Sequence, residues 1–416
     1  MFKKLTLQNW KSFRYAELPI DSLTILIGTN ASGKSNVVDA FEFLKRVIKG
    51  ETINSVLRGN SRSNSIRGSI ENVFYRSSNE FSLQLLMSDS SQVIEFEYNT
   101  NVLLNKSSVK LSKSEKIFNI GLEGHRVEIP NPLQRFQGIT PEEILDFDSV
   151  VSDNFNNIVV NLGAGKSEVM AKFDLRLKHW RALVDKATYR WDEIFILSAE
   201  LKNIGSYSSV SNDLNSDGSN LSGFIASLEP DRKAQLEAQL TEYLNHLPEL
   251  EISKVWVETV GRLNSDAMIY CEEKWGNSGE SVILDARSMS DGTLRFLTIM
   301  TAILTRPAGS QLIIEEIDNG LHPSRAKFLI ELLRDIGADR QVDVLITTHN
   351  SALLDALEPD MMPFVIVAHR DQETGESKLT PLDELEDLPK LLASGSLGNL
   401  VTRGAIERSI SRQEHL

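Results

Sequence analysis

The chain has 416 residues, more than one hydrophobic core usually holds, so two lobes or one domain with a large insertion is expected. Its 41% hydrophobic and 25% charged content is that of an ordinary water-exposed globular protein, and no apolar run approaches the ~20 residues of a membrane span. A net charge of −14 excludes a uniformly basic nucleic-acid-binding surface, and the single cysteine, Cys271, excludes an intrachain disulfide or a cysteine-cluster metal site.

In chain order, Met1-Phe-Lys-Lys leads into alternating residues without the apolar stretch of a secretory leader, which fits a cytoplasmic chain. Phe2, Leu5 and Leu7 predict a first strand and Ala16–Ile20 a second, with Asn9-Trp-Lys-Ser-Phe13 as the turn between them. The apolar run Leu23–Ile27 then enters Gly28-Thr29-Asn30-Ala31-Ser32-Gly33-Lys34-Ser35, followed by Asn36, which fits G-x-x-x-x-G-K-S/T at every fixed position. Val37, Val38, Phe41, Leu44 and Ile48 recur at helical spacing after it, and Gly50 stops the helix. Strand, glycine loop and helix are the context in which backbone N–H groups can cradle phosphate oxygens. Lys34 can then reach the outer phosphates of a nucleoside triphosphate, and the Ser35 hydroxyl can ligate Mg²⁺.

Residues 51–72 are rich in Ser, Asn, Arg and Gly and predict a surface loop. The alternating Phe81–Met87 and Ile94–Tyr98 predict an antiparallel hairpin with one wet face. Residues 141–190 take on a helical pattern that contains Gly163-Ala-Gly-Lys-Ser167, a decoy because Val160 stands where the first loop glycine should be. Residues 203–222 form a polar serine- and asparagine-rich loop, Pro230–Leu247 an amphipathic helix, and residues 250–285 return to β alternation.

Arg287-Ser-Met-Ser290-Asp-Gly292-Thr-Leu-Arg-Phe296 places a Ser-x-Gly turn before an apolar-periodic helix, a second helix start suited to phosphate. The apolar strand Gln311–Ile314 ends in Glu315 and Glu316, as a parallel sheet presents acids to a ligand at its C-terminal edge. One of these carboxylates can hold Mg²⁺ and the other can polarise an attacking water. The strand Asp343–Thr347 leads into Thr348-His349-Asn350, which would bring an imidazole to the same edge.

In this order the motifs resemble the ATP-binding-cassette heads of RecF- and SMC-type ATPases. Asn9–Phe13, Asp217-Gly-Ser-Asn-Leu221 and Glu315-Glu-Ile-Asp-Asn-Gly-Leu-His-Pro323 look closer still to the stand-alone predicted ATPases of the AAA-21 and AAA-15 type. The resemblance implies an α/β head with a phosphate-loop mixed sheet, an antiparallel β subdomain and a helical insertion. By position, Gly28–Ser35 with Asn36 would bind ATP, Ser35 and Glu315 would hold Mg²⁺, and Glu316 would be the catalytic base. His349 would be the switch histidine, while Ser290 and Gly292 would touch the nucleotide of a second copy in a head-to-tail homodimer or higher oligomer. Arg58 and Lys11 are candidates for a phosphate-sensing cation, and Gln84, Gln134 and Gln137 for the Q-loop glutamine.

The pattern departs from the family in M-S-D-G-T for the signature, Glu315 for the more general aspartate, and Ile317-Asp318 where many relatives carry Pro-Glu. Hydrolysis that is slow or partner-dependent is the expectation. The layout expected is an ATPase lobe at 1–135, a helical and loop insertion at 136–250, a second lobe at 251–370 and a tail at 371–416. No long coiled coil separates the halves, and too few residues follow His349 for a TOPRIM nuclease. The reading is an ATPase switch for a separate effector, a nuclease or toxin, in bacterial anti-phage defence. A RecF-like clamp on DNA and a slow structural scaffold are the alternatives.

Overall fold

The computed structural model describes residues 2–59, 65–68, 70–76, 78–88, 94–105, 108–120, 126–129, 194–247, 252–275 and 280–414. The expected helical pattern at 141–190, its decoy loop, Gln134 and Gln137 lie outside these residues.

A six-stranded sheet runs through the centre in the order Ser377–Pro381, Val365–Arg370, Leu23–Ile27, Asp343–Thr348, Gln311–Ile314, Ile194–Leu197. Its pairings are parallel except at Ser377–Pro381, which lies antiparallel on the edge. Leu23–Ile27, Asp343–Thr348 and Gln311–Ile314 are buried at every position, because both faces of the sheet are covered. Leu23, Ile25 and Ile27 face one hydrophobic core, while Leu26, Ile313 and Leu345 face another.

The first core contains the helix Asp291–Thr305, in which every residue from Gly292 onward is buried. The sequence shows an apolar stripe there. The structure buries the whole circumference, since the helix packs against Gln311–Ile314 and the helices Pro230–Asn245 and Pro323–Arg340. The second core joins the phosphate-loop helix Lys34–Ile48 to an antiparallel sheet ordered Phe13–Pro19, Phe2–Trp10, Glu80–Ser88, Ile94–Asn105, Ser108–Ile120, Arg126–Ile129. The expected hairpin is present, with Leu85 opposite Tyr98 and Met87 opposite Phe96.

Within the stretch read as an insertion, Ile194–Leu197 pairs with Gln311–Ile314 as an edge strand of the central sheet. Four apolar residues are too few to show a period of their own. A third antiparallel sheet, Ile252–Val260, Asp266–Trp275 and Glu280–Asp285, receives Ser208–Ser209 on its middle strand. Past it the chain turns at Ala286–Ser288 into the helix Asp291–Thr305. Cys271 is buried in the strand Asp266–Trp275, and burial pushes its thiol up to about 11, away from the thiolate form. Among the described residues no helix is long and apolar enough to cross a membrane.

Candidate functional site

The phosphate loop leaves the sheet at Gly28 with a φ of 148°. A Cβ there would stand 2.2 Å from the carbonyl oxygen of Ala368 on the neighbouring strand, so the loop can take this path only with glycine. Thr29, Asn30 and Ala31 form an exposed crest, Ser32 and Gly33 turn back inside, and the helix begins at Lys34. Lys34 is buried and donates from Nζ to the carbonyls of Gly28 at 2.6 Å and Thr29 at 3.0 Å. Burial pulls its pKa down, against the opposing charges of Glu316 and Asp318, which places both carboxylates within electrostatic reach of the ammonium. Ser35 is exposed in the first helical turn.

The turn Asn9–Phe13 forms the wall behind this loop. Trp10 Nε1 donates to the Asn36 carbonyl at 2.7 Å, Asn36 Nδ2 donates to Ser12 Oγ at 2.7 Å, and the Phe13 ring lies beside Gly33. Lys11 Nζ donates to Asp39 Oδ2 at 2.6 Å and to the Arg67 carbonyl at 2.7 Å, so it is committed to neighbours of the loop. Arg67 in turn donates from Nε to Asp39 Oδ1 at 2.8 Å and from Nη2 to Glu315 Oε1 at 2.7 Å. Burial raises the Glu315 carboxyl, and the Arg67 charge and hydrogen bond hold it down.

The acids and the histidine meet because their strands are neighbours. Ile27 pairs with Thr348 and Ile314 with Ile346, so the three C-terminal ends adjoin. Thr347 fixes the acid turn: its Oγ1 accepts from Glu316 N at 2.9 Å and its carbonyl accepts from Ile317 N at 3.1 Å. Glu316 adopts a left-handed φ of 46°, a conformation that turns the chain sharply after Glu315. Its Oε1 lies 3.9 Å from Nδ1 of His349, both side chains being partly exposed.

Ser290 caps the helix Asp291–Thr305 by accepting from Thr293 N at 3.1 Å. Gly292 lies so close to the acid turn that a Cβ there would meet the Gly320 carbonyl at 2.7 Å. Neither residue hydrogen bonds to the phosphate loop of its own chain among the described residues. From the same helix Arg295, 4% exposed, donates to the carbonyls of Ala199 at 2.7 Å, Glu315 at 2.9 Å and Glu316 at 2.7 Å. Burial pulls its pKa down to about 10, so it remains a cation at neutral pH. A cleft of about 450 Å³ opens beside it, lined by residues 199–205, Asp291, Asn319 and Gly320.

The structure thus brings Lys34, Glu315, Glu316 and His349 to one sheet edge, with Ser290 and Gly292 at a neighbouring helix start. Arg58, offered as a phosphate-sensing cation, is exposed at the end of the helix Ile53–Arg58; Arg67 is the arginine that reaches the site. Gln84 sits in mid-strand opposite Thr6 and Asn99, and among the described residues no hydrogen bond joins it to the loop. Asp39, Arg67 and Arg295 were not singled out in the sequence. Asp39 alone left a signal there, an acid one helical turn after Ser35 and hence on its face.

The profile of the family described as "AAA domain, putative AbiEii toxin, Type IV TA system" matches residues 23–355, from the phosphate-loop strand to the helix after His349. No curated protein matches the chain. Among solved structures, the chain is similar to an SMC head bound to the C-winged helix domain of ScpA, with a TM-score of 0.50, 13% identity, and coverage of 94% of this chain and 99% of that one. It is also similar to the SMC head domain from Thermotoga maritima (TM-score 0.41, 14% identity, 91% and 98% covered). A third is an SMC head with a coiled coil and joint derived from Pyrococcus yayanosii (TM-score 0.45, 13% identity, 94% and 99% covered). At 13% identity the first likeness speaks for the fold alone, an ABC-type ATPase head. The matched segment carries the phosphate loop, the paired acids and the histidine, and covers most of the chain: the protein belongs to the AAA domain family of the AbiEii type.

Proposed function

We propose that this chain binds ATP with Mg²⁺ and hydrolyses it slowly, as a dimeric switch. The observation that carries the reading is the convergence at one sheet edge of a buried Lys34 with Glu316 and, 3.9 Å from it, His349. The residues present fit the nucleotide. Gly28 occupies a place no Cβ could, and among the described residues the hydrogen-bond partners of Lys34 are loop carbonyls, which phosphate oxygens can replace. Mg²⁺ is commonly held by one or two protein oxygens plus phosphates and water, which suits Ser35 and Glu315. Among the described residues no cluster of three or more His, Cys, Asp or Glu could hold a metal alone.

When bound, Mg²⁺ offsets negative charge on the phosphates. The loop N–H groups and Lys34 would orient the γ-phosphoryl group, and Arg67 would have to release Glu315 for it to take the metal. Glu316 would accept a proton from the attacking water as its oxygen bonds to phosphorus and the bond to ADP breaks. His349 would hydrogen bond a phosphoryl oxygen. Ser290 and Gly292, which among the described residues make no hydrogen bond to their own loop, would complete the site of a second copy. Closure of that dimer is what a separate effector, a nuclease or toxin, would read. The family description, a toxin–antitoxin system, supports a defence role, and in one related SMC head a winged-helix domain of another protein is bound.

Phosphate release by wild type and Glu316→Gln, with dimer formation followed by light scattering, tests the reading. Glu316→Gln should bind ATP as wild type does, lose turnover by ~10²-fold or more, and accumulate as an ATP-bound dimer. A wild type that releases no phosphate with Mg²⁺ and ATP, or a variant as active as wild type, would defeat it.

A further inference from the structure

Asp318 is two residues beyond Glu316 and 9% exposed. Its Oδ1 accepts the hydroxyl proton of the fully buried Thr348 at 2.6 Å. The same hydroxyl oxygen accepts from the backbone N–H of Asn350 at 3.1 Å. Thr348 Oγ1 therefore has its proton spent on one side and a lone pair on the other, which leaves it one orientation. His349 lies between these two anchored residues. On the facing turn, Thr347 takes the N–H groups of Glu316 and Ile317, so the acid turn and the histidine turn are tied at two successive residues. The charges that Asp318 faces are Arg295, from the helix Asp291–Thr305, and Lys34, from the phosphate loop.

We infer that Asp318 is a positioning residue that, through Thr348, holds His349 in register with Glu316. The inference rests on the hydrolytic reading above, in which those two side chains act on one phosphoryl group. His349 is 44% exposed on its side chain, so the anchoring of its backbone bears directly on where the ring stands. A buried short bond to a carboxylate is about twice as strong as a neutral one, and this one anchors the residue next to His349. Displacements of about 1 Å at such a pair cost ~10²-fold in rate in other enzymes.

The test compares Asp318→Ala, Thr348→Val, Thr348→Ser and the double variant Asp318→Ala/Thr348→Val by steady-state ATP turnover. Asp318→Ala and Thr348→Val should each lower kcat by ~tenfold or more, since the geometry they hold is lost. Thr348→Ser, which keeps the hydroxyl, should stay within ~threefold of wild type, and Thr348→Val should leave the KM for ATP within ~twofold. The double variant should be no worse than the poorer single one, because both remove the same link. Thr348→Val turning over at the wild-type rate, or losses that multiply in the double variant, would overturn the inference. Should wild type hydrolyse nothing, the hydrolytic reading has failed, and amide hydrogen exchange still reads the tie. Exchange at residues 349–352 must then quicken in Thr348→Val relative to wild type, and unchanged exchange refutes it.

Discussion

Arg295→Met keeps an apolar stem in the core and removes the guanidinium that grips the acid turn. Three short hydrogen bonds are lost, to Ala199, Glu315 and Glu316. Bonds from a charged donor contribute ~1.5–3 kcal/mol each. Against them stands the cost of burying the cation, visible in a pKa pulled down to about 10 by burial, or ~3 kcal/mol. The net loss, with each of these carbonyls one donor poorer and the longer bond to the Ile317 carbonyl gone as well, is then ~2–5 kcal/mol. Part of it falls on Glu316, whose left-handed backbone keeps the Asn319 N–H on its carbonyl at 2.9 Å but loses the guanidinium. The variant should melt several degrees below wild type and lose ~10–100-fold in kcat, with a smaller change in the KM for ATP. Arg295→Lys should recover only part of either effect, since one ammonium cannot fork across three carbonyls. Thermal unfolding and phosphate-release kinetics on the same preparations decide it. A methionine variant with wild-type melting and kcat would refute the idea that this arginine holds the turn, and a lysine variant equal to wild type would refute the fork.

Two further outcomes follow from the site. Arg67→Ala leaves burial unopposed at Glu315, so its carboxyl protonates at higher pH than in wild type. In the proposed site Mg²⁺ would need the carboxylate, so the acidic limb of the pH–rate profile should move to higher pH; a limb that stays put or moves lower would contradict the sign. Gly28→Ala places a Cβ 2.2 Å from the Ala368 carbonyl at a φ of 148°, a strain of ~1–3 kcal/mol, so ATP affinity should fall by ~10–100-fold. Titration of a fluorescent ATP analogue measures it, and an affinity within twofold of wild type would show that the loop has another path.

The site was legible to different depths. Gly28–Ser35 could be read because a phosphate cradle needs glycines and a lysine at fixed local spacing, and the acids and His349 because each ends an apolar strand. Trp10 and Phe13 stood out only by resemblance; their work is to brace Asn36 and Gly33, a contact no local pattern records. The sequence offers Arg58 and does not single out Arg67, since both stand in a polar stretch with no periodicity to mark either. The choice depends on which backbone passes Glu315, more than two hundred residues away.

The sequence by itself determined that a triphosphate-type loop, two carboxylates and a histidine would be carried on strand ends of an α/β head. Local spacing suffices for that, since each motif closes on its own backbone. Tertiary structure alone decided the order in which strands pair, and hence that Ile27 lies beside Thr348 and Lys34 within electrostatic reach of Glu316 and Asp318. It also decided that Arg295, one arginine among many in the sequence, is buried under the acid turn. A buried cation takes its role from the carbonyls that surround it, and those come from two segments of the chain, at Ala199 and at the acid turn, far from Arg295 in sequence.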